Sequence, residues 1–160
     1  DVLTQLRNRA FYAEELNRLT RKGPWPLSII AIDLNGLKVV NDEQGHAAGD
    51  SMLRRVGEVL AKAVDAPACA ARIGGDEFTV LLPGTDERGA MALQARILSM
   101  LELNNQFYPG QHLSRAMGIA CCQSGDAVEA AIHRADQAMY AEKNRYYQQK
   151  NVDRRQSGSP

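Results

Sequence analysis

Four short apolar runs, the middle two separated by a short turn and the others by longer helix-like segments, constrain the fold more than any other feature of this sequence. The runs have lengths typical of strands and cover residues 27–32, 69–73, 78–82 and 113–122. Between the first two runs, apolar residues recur at helical spacing, at Leu53, Val56, Leu60 and Ala63. Asn8 and the Thr85-Asp86-Glu87 sequence are typical helix starts.

The predicted order of elements is helix, strand, helix, strand, strand, helix, strand, helix. This order is typical of an α+β fold in which helices flank a mostly antiparallel sheet. We therefore predict a ferredoxin-like, palm-type βαββαβ sandwich preceded by an N-terminal helix.

Paired glycines separate the second and third apolar runs. Gly74 and Gly75 stand between them, and Pro83-Gly84 ends the third run. Because glycine readily takes positive φ angles, the pair predicts a β-hairpin closed by a type I′ turn.

Length and charge fit one small domain without a general nucleic-acid role. The chain has 160 residues, with 19 basic and 19 acidic side chains. The absence of excess Lys and Arg argues against coating of DNA or RNA, whereas a small phosphorylated ligand needs only a local site. We expect one domain over residues 1–150 and a polar, disordered tail over residues 151–160.

Cysteine usage indicates a reducing compartment, and the short apolar runs indicate that the domain has no membrane-spanning helix. The odd count and the spacing of Cys69, Cys121 and Cys122 fit neither a disulfide framework nor a zinc site. The apolar runs are far shorter than the ~20 residues of a membrane helix. We expect a cytoplasmic domain, free or part of a membrane-anchored protein, without direct membrane contact of its own.

Acidic residues stand where two of the predicted strands meet their turns. Asp33 follows the first run, and Asp76 and Glu77 follow the glycine pair. In a βαββ arrangement the first strand commonly lies beside the hairpin, so these acids would converge. Converged carboxylates suit Mg²⁺, which prefers hard oxygen ligands together with phosphate. Taken singly, Asp33 also fits a turn residue, and the glycine pair with its acids also fits a solvated hairpin.

The polar segment between these acids contains groups suited to a nucleotide. Backbone N–H groups around Gly36 would approach a phosphate closely, and Lys38 would neutralise its charge. Asn41 and Asp50 suit guanine, because a carboxylate accepts hydrogen bonds from its N1 and amino groups. On residue chemistry alone, Asn41 is equally a turn former and Asp50 equally a helix N-cap.

Four separate motifs carry a family resemblance over nearly the whole chain. They are an opening segment similar to D-x-L-T-G-L-x-N-R, a polar block, a Gly-Gly-Asp-Glu-Phe signature and a closing R-A-D helix. These motifs lie at Asp1–Arg9, Asp33–Asp50, Arg72–Phe78 and Arg134–Lys143. Together they resemble the GGDEF domain family, the diguanylate cyclases.

The resemblance implies roles for individual residues. The implied catalytic residues are Asp76, Glu77 and Lys38. The implied metal ligands are Asp33, the backbone carbonyl of Leu34, and Asp76. The implied substrate-binding residues are Asn41, Asp50, Leu53, Gly36, Leu37 and Lys143. Asn41, Asp50 and Leu53 would bind guanine. The backbone of Gly36 and Leu37 and the side chains of Lys38 and Lys143 would bind phosphates.

The resemblance also implies an activity and its partners. Two GTP molecules would be condensed into cyclic di-GMP, with two pyrophosphates released, in a reaction that needs Mg²⁺ or alternatively Mn²⁺. Each domain binds one GTP, so the family acts as a homodimer, usually assembled by an N-terminal sensory or regulatory domain of the parent protein. The alternative is a GGDEF domain that binds GTP without turnover and regulates an attached signalling domain.

The chain departs from the family pattern at several positions. Gln5 replaces a Gly, Asn35 replaces the commoner Asp, and Ala116 replaces a Ser. Tyr147 stands where an Arg that contacts phosphate is expected. The family's inhibitory R-x-x-D sequence is replaced by Asp-Ala-Pro-Ala at residues 65–68.

Overall fold

A four-stranded sheet with helices on both faces forms the centre of the computed structural model, which describes residues 1–157. The strands are β1 (Leu27–Leu34), β2 (Cys69–Arg72), β3 (Glu77–Leu82) and β4 (Arg115–Cys122). They lie in the order β2-β3-β1-β4, and each neighbouring pair is antiparallel. The predicted α+β sandwich is confirmed.

The helices of the described region are α1 (Arg9–Lys22), α2 (Leu37–Gln44), α3 (His46–Ala63), α4 (Glu87–Phe107) and α5 (Val128–Ser157). A short 3₁₀ turn, Gly125–Ala127, precedes α5. The last helix continues into the segment 151–160 for which the composition predicts a tail. Residues 158–160 of that tail lie outside the described residues.

Two of the predicted helix starts are capped by side chains. Asn8 accepts a hydrogen bond from the N–H of Phe11 at 2.9 Å, and Asp86 accepts one from Gly89 at the same distance. Such caps satisfy N–H groups that have no partner within the helix, and each stabilises by about 1 kcal/mol.

The central strand β1 is buried along its whole length because helices cover both faces of the sheet. Ile30, Ile32 and Leu34 pack in the core with residues of α3 and α4. Ile29 and Ala31 pack on the opposite face, with residues of α1 and α5. Because side chains alternate along a strand, Asp33 lies on the α5 face.

Two local predictions differ from the structure between β1 and α3. An additional helix, α2, which the predicted order of elements does not contain, lies between Gly36 and Gly45. Strand β1 extends to Leu34 because Asp33 pairs with Glu77 on β3 and with Ala116 on β4.

The hairpin between β2 and β3 is confirmed, but its predicted type I′ turn is wrong. The glycines with positive φ are Gly23, Gly36, Gly45 and Gly84, so the Gly74-Gly75 turn uses no left-handed residue. The turn is held instead by the N–H groups of Ile73 and Gly74, which donate to the carbonyl oxygen of Glu77 at 2.9 and 3.3 Å.

Candidate active site

Three carboxylates meet at the edge of the sheet where β1 ends and β3 begins. Asp33 lies directly opposite Glu77 in the antiparallel pair. The N–H of Leu34 donates to the carbonyl oxygen of Asp76 at 2.9 Å, which places Asp76 beside the same strand. Asp33, Asp76 and Glu77 each offer a carboxylate oxygen, and these oxygens lie within 4.8 Å of one another. The expected convergence of the three acids is therefore found.

The electrostatics of this cluster favour a bound cation. Two carboxylates about 4 Å apart repel by about 4 kcal/mol at an effective dielectric constant near 20. Burial is the largest of the effects that together raise the pKa of Asp33 from 3.8 to about 6; the charge of Asp76 acts in the same direction, while Lys143 opposes both effects. The ionised form of Asp33 is thus disfavoured in this environment, and a bound cation would stabilise it.

The donor set fits a divalent metal ion. Oδ1 of Asp33 is buried and has no hydrogen-bond partner among residues 1–157, although the residue is only 3% exposed. A buried carboxylate oxygen without a donor is unfavourable unless something binds it. Asp33, Asp76 and Glu77 could hold Mg²⁺ or Mn²⁺ through hard oxygen atoms. The assignment of the Leu34 carbonyl as a further ligand stays a prediction.

Lys143 lies among these acids rather than away from them. Its Nζ is 2.7 Å from Oδ2 of Asp33 and 3.7 Å from Oδ2 of Asp76. The sequence resemblance implies that Lys143 supplies charge to phosphates, whereas in the structure its partners are carboxylates. Only the packing of α5 across the sheet reveals this contact.

The turn after β1 leads into a helix whose first backbone N–H groups are available to an anion. Gly36 adopts a left-handed conformation with φ of 76°, which a residue with a side chain rarely takes, and it precedes α2 without a side-chain cap. The first N–H groups of α2, including those of Leu37 and Lys38, have no partner within the helix and carry its positive dipole end. Helix α2 begins at Leu37, four residues after Asp33. Lys38 is exposed on the first turn.

Arg72 fixes the turn that carries Asp76. Its guanidinium donates to the carbonyl oxygens of Gly74 and Gly75, at 3.2 Å and 2.9 Å, and its Nη1 lies 3.4 Å from Oδ2 of Asp1. Sequence reasoning noted Asp1 and Arg72 only as parts of motifs. Their contact joins residues far apart in the chain and has no local signal.

The close approach of α2 and α3 places Asn41 against the helix segment that carries Asp50. The Asn41 side chain lies directly over Gly49, the residue before Asp50. Oδ1 of Asn41 is buried and lacks a hydrogen-bond partner in the described chain. Asn41 lies inside α2 and Asp50 lies inside α3, so Asn41 is not a turn former and Asp50 is not an N-cap. Leu53 is buried in the core at the next turn of α3.

The absence of a side chain at Gly49 leaves the space that the Asn41 side chain occupies. Nothing in the sequence indicates this role for Gly49. A Cβ at position 49 would lie 1.8 Å from Oδ1 of Asn41, so Gly49→Ala must displace this amide. We expect the substitution to weaken binding of a GTP analogue by about tenfold, the effect of losing one or two hydrogen bonds. Isothermal titration calorimetry measures this directly.

A double-mutant cycle provides the control for this prediction. Asn41→Ala should cause a similar loss of affinity, and the double variant should lose little more, because both changes remove the same contact. Losses that simply add, or wild-type affinity of Gly49→Ala, would contradict the assignment.

Two tyrosines of α5, Tyr146 and Tyr147, line a cavity together with Gly36. Tyr146 Oη is 3.8 Å from the position that a Cβ of Gly36 would occupy. The ring of Tyr147 lies 6.0 Å from Nζ of Lys143. A cavity of ≈ 520 Å³ opens here, lined in part by Asn35, Gly36, Tyr146 and Tyr147.

An antiparallel ferredoxin-like sheet with a carboxylate cluster at the edge of its central strands defines a palm-type domain. A family model described as "Diguanylate cyclase, GGDEF domain" matches residues 1–149. The chain belongs to the GGDEF domain family.

Individual relatives agree with this membership. Diguanylate cyclase A of Treponema denticola is 32% identical over 152 residues, which cover 89% of this chain and 41% of that protein. Diguanylate cyclase DgcP of Pseudomonas aeruginosa is 36% identical over 149 residues, covering 89% of this chain and 22% of that protein. The chain thus spans less than half the length of these two relatives.

A solved structure shows the same fold. It contains the coiled coil and GGDEF domain of DgcB from Caulobacter crescentus in complex with c-di-GMP. The TM-score is 0.80 at 26% identity, and the match covers 90% of this chain and 80% of that chain. Within residues 1–157 of the present chain, every helix is too short or too polar to cross a membrane.

Proposed function

We propose that this chain is the catalytic domain of a diguanylate cyclase, which condenses two GTP molecules into cyclic di-GMP and releases two pyrophosphates. The observation that carries the proposal is the convergence of Asp33, Asp76 and Glu77 within 4.8 Å, next to the start of α2. Membership of the GGDEF family and the names of its relatives support the reaction.

The acid cluster would bind the metal cofactor. Asp33 and Asp76, with the Leu34 carbonyl, would hold Mg²⁺ or Mn²⁺, and Glu77 lies within reach of the same position. When bound, the ion supplies a Lewis acid that stabilises charge on the transferring phosphate and favours ionisation of the attacking hydroxyl.

The chain's own groups would orient the substrate for transfer. Asn41 and Asp50 hold guanine, while the backbone of Gly36 and Leu37 and the ammonium of Lys38 hold the triphosphate. The 3′-oxygen of one GTP forms a bond to the α-phosphorus of the other, and the bond from that phosphorus to pyrophosphate breaks. Glu77 assists removal of the hydroxyl proton. A second, identical transfer closes the ring.

The reaction requires two copies of the domain. Because each copy binds one GTP, the two sites must face each other, and we propose a homodimer assembled by a regulatory region of the parent protein. We place the domain in the cytoplasm, where GTP is available.

Direct detection of product tests the proposal. The purified chain at high concentration is incubated with GTP and Mg²⁺, and cyclic di-GMP is measured by chromatography. Asp76→Ala should abolish product while retaining the fold, as judged by circular dichroism. If no product forms even when two chains are joined by a fused dimerisation helix, the catalytic proposal is wrong.

A second candidate is a GGDEF domain that binds GTP without turnover and regulates an attached domain. It is favoured by Tyr147, which replaces the Arg expected to contact phosphate, and by Tyr146, whose hydroxyl lies near the Gly36 turn. GTP binding without product in the enforced dimer would identify this alternative.

Added cyclic di-GMP is expected not to inhibit the enzyme strongly through residues 65–68. These residues form an exposed Asp-Ala-Pro sequence followed by Ala68, in the loop before β2, without the Arg and Asp of the family's inhibitory sequence. Initial rates measured at increasing product concentration test this. Potent inhibition that is lost on substitution within residues 65–68 would contradict it.

A further inference from the structure

The ammonium group of Lys143 lies among the carboxylates of the candidate metal site. Nζ is 2.7 Å from Oδ2 of Asp33 and 3.7 Å from Oδ2 of Asp76. These are two of the three acids whose oxygens lie within 4.8 Å of one another. Lys143 therefore contacts the residues that a divalent ion would bind.

This ion pair is too buried to be an ordinary surface salt bridge. The side chain of Lys143 is 17% exposed and that of Asp33 is 4% exposed. Burial of a charge is unfavourable unless a partner compensates it, so the two groups hold each other in place. The other oxygen of Asp33, Oδ1, has no hydrogen-bond partner in the described part of the chain. The cluster can thus accept more positive charge than a single ammonium provides.

We propose that Lys143 is the resident cation of the metal-free site and competes with the divalent ion for Asp33 and Asp76. A bound triphosphate relieves this competition because its phosphate oxygens draw the ammonium away from the acids. The metal ion and the triphosphate therefore bind with positive coupling. This inference deepens the proposed function and rests on it.

Charge repulsion is the physical reason for the competition. A divalent ion on Asp33 and Asp76 would lie close to the ammonium, and the two like charges would repel. In the absence of triphosphate, the ammonium must leave both carboxylates without gaining another anion. The flexible four-carbon stem of lysine allows this movement without a shift of α5.

The triphosphate changes this balance. Phosphate oxygens form strong, charge-assisted hydrogen bonds with ammonium groups. Lys143 can therefore exchange a carboxylate partner for a phosphate partner, which leaves the acids free for the metal ion. By thermodynamic reciprocity, the metal ion must raise the affinity for triphosphate by the same factor.

Binding of Mn²⁺ alone tests the competition without turnover. The signal of free Mn²⁺ in electron paramagnetic resonance reports the bound fraction. Lys143→Met removes the charge and keeps most of the apolar stem, and we expect it to bind Mn²⁺ about tenfold more tightly than wild type, a factor typical of coupled sites. Lys150→Met removes the same charge from an exposed position on α5 and should change affinity less than about twofold, because exposed charges are screened.

The coupling is tested with a GTP analogue that carries a methylene bridge between its α- and β-phosphates. The analogue should tighten Mn²⁺ binding by wild type about tenfold or more, as expected for positive coupling. It should tighten binding by Lys143→Met clearly less, because that variant has no ammonium to displace.

Each outcome distinguishes the inference from the function on which it rests. Equal or weaker Mn²⁺ binding by Lys143→Met, or equal tightening by the analogue in both proteins, would overturn the inference alone. A wild-type protein that binds no Mn²⁺ even with the analogue would overturn the metal-dependent function as well.

Two further variants protect the test against a folding defect. Lys143→Gln retains a hydrogen-bond donor to Asp33 without the charge, so it should reproduce the tighter Mn²⁺ binding if the methionine variant does not fold. Lys143→Arg retains the charge and should bind Mn²⁺ like wild type. Tighter binding by the arginine variant would contradict a competition based on charge.

Discussion

Replacing Asp33 with asparagine is expected to lower the rate of cyclic di-GMP formation by about 10³-fold. Asp33 is the most buried of the three acids, and under the proposed function its loss would remove both a metal ligand and one of the charges that attract the ion. Loss of one group that stabilises the transferring phosphate typically costs 10² to 10³-fold, and loss of a metal ligand belongs at the upper end. Initial rates at saturating GTP and Mg²⁺ measure the effect.

The matched control is Asp65→Asn, which removes the same charge from an exposed position away from the site. Asp65 lies 3.9 Å from Nη1 of Arg96 with its side chain 79% exposed, so its loss should leave the rate unchanged. A rate for Asp33→Asn within tenfold of wild type would exclude Asp33 as a ligand of the catalytic metal.

Asp33→Asn should also alter how the free energy of unfolding depends on pH in the metal-free protein. Burial raises the pKa of Asp33 from 3.8 to about 6 in the folded state, so the native protein binds more protons than the unfolded chain between these values. The free energy of unfolding must therefore fall as pH rises through this window. Asp33→Asn should show a smaller fall in urea unfolding experiments, and an unchanged or steeper fall would contradict the raised pKa.

Gly118→Ala is expected to cause a large loss of stability through a single added methyl group. A Cβ at position 118 on β4 would lie 2.1 Å from the carbonyl oxygen of Ala135 and 2.5 Å from the backbone nitrogen of Met139, both on α5. Because these are backbone atoms, no side-chain rotation relieves the contact, and the helix must move away from the sheet. We expect the free energy of unfolding to fall by about 3 kcal/mol or more, and the melting temperature by about 10 °C.

Gly110→Ala is the control for this prediction. A Cβ there would meet only Nη1 of Arg55 at 3.8 Å, an ordinary contact, and the φ angle of Gly110 is not positive. Its stability should stay within about 1 kcal/mol of wild type and could rise slightly, because alanine restricts the unfolded chain. Thermal unfolding followed by circular dichroism compares the two, and equal melting temperatures would contradict the close packing of α5 on β4.

Much of the fold could be predicted because its signals are local. The apolar run before Asp33, the capping side chains of Asn8 and Asp86, and the glycine pair in the hairpin each act within a few residues. Helix α2 was missed because eight polar and apolar residues between Gly36 and Gly45 resemble a loop when read without their packing partners. The turn type was wrong because Arg72 and backbone N–H groups hold Gly74 and Gly75 in a conformation that glycine alone does not dictate.

The chemical groups of the candidate site are a property of the sequence itself, since the identity and order of Asp33, Asp76 and Glu77 need no coordinates. Which of these groups face one another was decided only by tertiary structure, because the antiparallel pairing of β1 with β3 joins residues far apart in the chain. The same holds for Lys143, whose ammonium reaches the acids because α5 packs on the sheet, where Gly118 leaves room for the helix backbone. Side-chain chemistry is local, whereas the distance between two charges depends on how whole elements pack.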